Sequence, residues 1–350
     1  MDTEILRPTS CTDFERAAET IRSGALVAFP TETVYGLGAN GLDAAACARI
    51  YAAKGRPSDN PLILHIADLA MAHEVASDVP PTAAHLLTAF APGPLTVILP
   101  KAAHIPDIVT GGLSTVGVRC PDHDVARRLI RAAGLPIAAP SANTSGRPSP
   151  TSAAMVYDDM EGRIPLILDG GSCRLGVEST IVDCTEEGVV TILRPGAVTR
   201  EMIAAELPHI EVCMDAALTA EDAAPRAPGM KYTHYAPRMP LTVYVGTGTD
   251  VAAALREELL RRTATGERPA LIASNETIMA LSDIIHADYT YHCGARGNHS
   301  ALASCLYDAL RHFDDMHVTS LLAEGTAAVG LGTAIMNRLR KASGGDIVFV

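Results

Sequence analysis

Tryptophan is absent from the chain, and aromatic residues make up only 4% of it. Positive charge is also short: 28 Lys and Arg stand against 40 Asp and Glu, a formal net charge of −12. Both shortages argue against an RNA-binding module, which stacks bases on aromatic rings and tracks phosphates with cations, so no stable nucleic-acid binding is expected. No run approaches the ~20 apolar residues that a membrane helix needs. The N-terminal segment carries Glu4, Arg7, Asp13, Glu15, Arg16, Glu19 and Arg22, and leaves no apolar stretch for a signal peptide. The eight cysteines are scattered and form no C-x-x-C pair, whereas a disulfide framework or zinc ribbon would cluster them. Free thiols in a reducing, cytoplasmic setting are therefore expected. The phosphate-binding pattern G-x-x-x-x-G-K-[ST] is missing, as is H-E-x-x-H. His286, His292 and His299 are spaced too loosely for a metal site, so none is expected.

What is present is a folding chain. Hydrophobic residues account for 48% and charged residues for 19%, and 350 residues exceed one ordinary core. Two α/β domains are expected. In residues 1–210, Thr12 and Glu15 fit a capping box opening a helix that ends near Gly24. Strand-like runs follow at 25–29, 61–66, 95–100, 116–120, 136–140, 165–169, 179–183 and 190–194. Helical patterns fit near 43–53, 67–76, 81–90, 123–133 and 151–158. The strands bunch toward the end of this region, which implies a twisted mixed sheet rather than a regular doubly wound one. Residues 211–240 hold four prolines in DAALTAEDAAPRAPGMKYTHYAPRMP and read as a linker, too long to be a passive one. Residues 241–350 alternate strand and helix strictly, which implies a smaller Rossmann-like βαβ domain with a parallel sheet. GTGTDV and GLGTAI there lack the third glycine of a dinucleotide loop and fit strand-to-helix turns.

An acidic protein that takes an anionic ligand must concentrate its cations locally, and four segments do so. PTETVYGLGAN (30–40) places Thr31 and Thr33 at a strand end, with Gly36 and Gly38 permitting close backbone approach; a tight turn with a helix cap is the plain alternative. KGRPSDNPLILHI (54–66) sets Lys54 and Arg56 around Gly55, a spacing that puts both on one side of an extended stretch. Pro57 and Pro61 stiffen that loop, Asn60 can donate and accept, and His65 lies on the strand beyond; a solvated charged loop is the alternative. Arg119 lies inside the run VGVRC, where an unpaired guanidinium is costly; a ligand carboxylate or an internal Asp or Glu would satisfy it. Ser141, Asn143, Ser145 and Ser149, in PSANTSGRPSP, form a loop of small donors suited to phosphate oxygens. GVESTIVD opens a strand with Ser179 and Thr180, and Arg194 closes another before a Pro-Gly turn.

In order along the chain, PTETVYGLG, KGRPSDNPLILHI, PGPLTVIL, GVRCP, PSAN, STIVD and LRPG resemble the L-threonylcarbamoyladenylate synthases, built on the YrdC-like domain. The match spans nearly all of residues 10–200, and PGMKYTHYAP with the C-terminal domain resembles the two-domain branch of that family. The resemblance implies a nucleotidyltransferase that joins L-threonine, bicarbonate and ATP into threonylcarbamoyl-AMP and releases pyrophosphate. A transferase partner would then use the product to modify adenosine in tRNA. It implies Thr33, His65, Arg119, Ala139 and Ser179 as the threonine set. It implies Lys54, Arg56, Asn60, Thr115, Ser141, Ser149 and Arg194 as the ATP set, with Asn143 beside them and Tyr235 reaching over the nucleotide from the linker. Lys54, Arg56, Ser141 and Asn143 would carry the chemistry through positioning and charge neutralisation. Mg2+ would arrive with ATP, since no dedicated carboxylate cage is evident. A carbamoyl-transfer enzyme on the same domain is an alternative; such proteins carry zinc-finger and acylphosphatase-like modules, and none is readable here.

Overall fold

The computed structural model describes residues 2–215 and 234–350. It separates into two compact units, one of residues 1–145 and 149–232, the other of residues 146–148 and 233–350. Most of PGMKYTHYAP lies outside the described residues. The expected 211–240 linker opens as a strand instead, because Glu211–Met214 pairs in parallel with Val189–Ile192.

The first unit is built on eleven strands: β1 Glu4–Leu6, β2 Val27–Phe29, β3 Gly36–Asn40, β4 Ile63–His65, β5 Leu95–Pro100, β6 Thr115–Arg119, β7 Ile137–Ala139, β8 Leu166–Leu168, β9 Thr180–Asp183, β10 Val189–Arg194 and β11 Glu211–Met214. They form one mixed sheet in the order β1-β8-β2-β3-β7-β4-β6-β5-β9-β10-β11. Several expected strands are trimmed by a residue or two, while β5 runs over 95–100 as expected. The stretch GLGAN forms β3 rather than a turn, because it hydrogen-bonds between Val27–Phe29 and Ile137–Ala138. Glycine is required there by space: a Cβ on Gly38 would lie 2.8 Å from both Ile137 and Phe29.

Strand pleating sends alternate side chains to opposite faces. One face places Leu37, Leu64, Val97, Val118, Ala138, Val182 and Ile192 in the main core. On the other face the half nearest β1 is covered by the helices Cys11–Arg22 and Asp124–Ala133, whose Phe14, Ile21, Leu129 and Ile130 pack on Val27, Phe29, Ile137 and Leu166. The first of these helices starts two residues earlier than expected. Ser10 is its N-cap, and Asp13 rather than Glu15 closes the capping box. Asp13 Oδ2 accepts from Ser10 N at 2.8 Å, a shorter reach than a Glu would need.

The second unit holds β12 Leu241–Val245, β13 Pro269–Ala273, β14 Thr290–His292, β15 Ser320–Glu324 and β16 Ile347–Phe349, in the order β14-β13-β15-β12-β16. Every pairing is parallel. β13 and β15 are buried along their whole length, as strands covered on both faces must be. The glycine-rich segments are strand-to-helix turns set by packing. A Cβ on Gly246 would lie 2.2 Å from Val350 O, and one on Gly332 would lie 2.1 Å from Ala327 O.

Candidate active site

The half of the second sheet face nearest β11 differs from the rest. Its buried apolar cluster consists of Ile63, Ile98, Ile181 and Leu193, all from strand residues. Many of the remaining positions on this face are polar. Register places His65 opposite Arg119 and Ile63 opposite Gly117 on the β4–β6 pair, and Ile63 opposite Ala139 on β4–β7. Thr96 neighbours Ile181, and Arg194 pairs with Ile181 across β9–β10. The face therefore carries His65, Arg119, Thr96, Ser179 and Arg194 toward one end and Thr115 toward the other, with Ala139 level with Gly117 between them. Thr115 and Arg119 stand four steps apart along extended β6, roughly 13 Å at ~3.3 Å per residue.

At the first end the polar groups are bonded to each other. Arg194 Nε donates to Ser179 O at 3.1 Å and its Nη2 to Ser179 Oγ at 3.1 Å. Ser179 Oγ also lies 2.8 Å from Thr96 Oγ1. A β-bulge between Ile192 and Arg194 turns Arg194 onto this face. The turn after it needs glycine, since a Cβ on Gly196 would sit 2.3 Å from Thr180 N. Thr33 is fully buried, and its hydroxyl lies 2.8 Å from that of Thr31.

Arg119 is the centre of this end. The internal partner left open by the sequence exists: Glu32 Oε1 lies 2.7 Å from Arg119 Nη2, with the two side chains 2% and 5% exposed. Arg119 Nε donates to Gly93 O at 3.4 Å. His65 stands beside it, edge-on to Phe29 at 5.8 Å, with Nδ1 3.2 Å from Ile63 O. Burial, reinforced by the Arg119 charge, pushes the His65 imidazole down to about 3, so it is neutral at physiological pH and a weak base.

At the other end the KGRP segment does not extend as its spacing suggested. Lys54 is the last residue of the helix Ala44–Lys54, and Gly55 takes the left-handed conformation at φ 62°. The two cations consequently diverge. Lys54 is buried and its ammonium donates to Ser141 O and Asn143 O, so it ties the helix end to the S-A-N loop. Arg56 Nη2 donates to Asn60 O at 3.3 Å and Pro61 O at 3.2 Å within its own loop. Ser141 Oγ donates to Asn143 Oδ1 at 2.5 Å. Asn60 is 1% exposed, and its Oδ1 has no hydrogen-bond partner among the described residues.

Two further predicted residues are held by local contacts of their own. Ser149 is buried and donates to Glu178 Oε1 at 2.5 Å, one residue before Ser179 in sequence. Tyr235 belongs to the second unit, where it is buried at φ 67° and stacks on Tyr307 at 5.2 Å. Glu32, Thr96 and Glu178 escaped sequence reasoning. The one signal available for Glu32 was that a strand arginine such as Arg119 needs a carboxylate. Among the described residues no group of three His, Cys, Asp or Glu side chains is arranged to hold a metal ion.

Residues 19–196 match the family model described as Telomere recombination, and residues 198–344 match that described as Threonylcarbamoyl-AMP synthase, C-terminal domain. Over 334 residues the chain is 46% identical to the threonylcarbamoyl-AMP synthase of Bacillus subtilis (strain 168), covering 95% of this chain and 93% of that one. The chain belongs to the threonylcarbamoyl-AMP synthase family. Within that family it is also 46% identical to the Pyrococcus abyssi (strain GE5 / Orsay) synthase, over 95% of both chains. A crystal structure of Pyrococcus abyssi Sua5 complexed with L-threonine superposes with a TM-score of 0.92 at 44% identity, covering all of each chain.

Proposed function

We infer that this protein makes threonylcarbamoyl-AMP from L-threonine, bicarbonate or CO2, and ATP, releasing pyrophosphate, as the first step of threonylcarbamoyladenosine formation in tRNA. The carrying observation is the family membership across both units, joined to a half-face of sheet where buried polar groups replace a packed core. The enzyme is a nucleotidyltransferase.

In our reading the end bearing Thr33, His65, Arg119 and Ser179 takes L-threonine. Arg119 meets the carboxylate, and neutral His65 orients the substrate rather than removing its proton. The opposite end, with Lys54, Arg56, Asn60, Thr115, Ser141 and Asn143, takes the nucleotide, and Ala139 lies on the strand between. Ser149 and Arg194 are kept in the ATP set, and Tyr235 is assigned to ATP on the resemblance alone. The threonine amine captures CO2 as a carbamate and gives up a proton to solvent; a carbamate oxygen attacks the α-phosphorus, and pyrophosphate leaves with its bond electrons. Lys54 acts by fixing the S-A-N loop, and the cations neutralise developing charge. Mg2+ enters with ATP as part of the substrate. The product is a mixed anhydride, so a threonylcarbamoyl transferase must consume it. A cytoplasmic setting is supported by eight free thiols, and no helix among the described residues is long and apolar enough to cross a membrane.

The test is pyrophosphate release from ATP with threonine and bicarbonate varied independently. Release that requires both supports the reading. Release indifferent to threonine refutes it.

A further inference from the structure

We propose that Glu32 is a positioning residue for threonine, holding Arg119 so that only one end of its guanidinium faces the substrate; this rests on the function proposed above. Three observations carry it. Glu32 Oε1 lies 2.7 Å from Arg119 Nη2, and both side chains are almost wholly buried. Arg119 Nε is directed to Gly93 O at 3.4 Å, and Nη1 makes no hydrogen bond or ion pair among the described residues. Glu32 is itself fixed from two sides: its Oε2 accepts from Asp122 N at 3.1 Å, and its backbone carbonyl accepts from Leu175 N at 2.8 Å.

The physical consequence is a preset clamp. A guanidinium offers five donors in one rigid plane. With Nε directed to Gly93 O and Nη2 held at ion-pair distance from Glu32, a pairing of charge whose two atoms make no hydrogen bond among the described residues, that side of the plane is restrained, and Nη1 is the donor left for a ligand carboxylate. A lone cation buried to this degree would be strongly unfavourable. Glu32 removes that penalty before substrate arrives, so threonine meets an arginine already oriented rather than one that must be ordered on binding. The Glu32 carboxylate touches only protein groups, and it acts on the reaction through Arg119 and on the threonine side alone.

A structure of the whole protein with L-threonine bound is the first test. The expected result is the threonine carboxylate on the Nη1 end while Nη2 stays at ion-pair distance from Glu32. A carboxylate on Arg119 with Glu32 turned away overturns the inference and leaves the proposed function standing. Threonine bound away from Arg119 overturns the site reading as well. Glu32→Gln is the second test, read as KM for each substrate. We expect KM for threonine to rise about tenfold while KM for ATP stays within about twofold. Equal changes for both substrates, or none for threonine, overturn the inference. Should Glu32→Gln fail to fold, the threonine-bound structure of the unaltered protein decides alone.

Discussion

Both units alternate strands and helices, yet they use their sheets differently. In the second unit the two inner strands β13 and β15 are buried along their length with apolar centres, the polar Ser320 and Glu324 standing only at the ends of β15, and its glycine-rich turns are explained by backbone and side-chain packing. In the first unit the sheet is mixed, and half of one face gives up apolar cover for His65, Arg119, Thr96, Ser179 and Arg194. The contrast teaches that strand order alone says little about chemistry. What marks the candidate site is buried polarity gathered on one face, where folding pays for charges that packing would avoid.

The contrast can be broken most forcefully at Arg119. Arg119→Ala is expected to cut kcat/KM for threonine at least a hundredfold, ~3 kcal/mol, by removing charge-assisted hydrogen bonds. Because Glu32 would be left buried without its partner, stability should also fall by about 3–5 kcal/mol in denaturant titration. Unchanged threonine kinetics would place the carboxylate elsewhere.

Next in size is Gly196→Ala. Its Cβ would press on the Thr180 and Ser179 backbone, which cannot yield, so a loss of about 1–3 kcal/mol is expected with impaired turnover. Thermal unfolding and steady-state rates measured together would check it.

Acid should sharpen the picture through His65. Its imidazole is held near 3 by burial and by Arg119, against an ordinary value of 6.5. As pH falls, the unfolded chain takes up this proton first, so stability declines from about pH 6.5 toward pH 3. His65→Gln should flatten that part of the stability curve; an unchanged slope would show that another group sets it.

The smallest effect is expected from Gly248→Ala in the second unit. There a Cβ meets the Arg296 side chain, 2.1 Å from Nη1, which must shift from its ion pair with Glu324 and its hydrogen bond to Thr277. Stability should fall by about 1 kcal/mol and kinetics not change at all. A large loss in turnover would overturn the division between the units drawn above.

Much of this was readable in advance where local patterns set the outcome. The apolar runs became strands within a residue or two, since burial of consecutive β-branched and aliphatic residues needs no distant information. β3 was missed because GLGAN lacks any strand-like side chain, and only its neighbours Val27–Phe29 and Ile137–Ala138 make it one. The pairing of Lys54 with Arg56 failed for a local reason: a left-handed Gly55 ends the helix between them.

By itself, the sequence determined the mixed and parallel sheet types and the set of motifs that marks the family. Those follow from periodicity and from side-chain chemistry written consecutively in the chain. Only the tertiary structure decided that Arg119 is paired with Glu32, that Arg194 falls beside Ser179, and that Lys54 turns to the S-A-N loop. These depend on strand register, a bulge and one helix end. Partners 87 residues apart meet only once the sheet has closed between them.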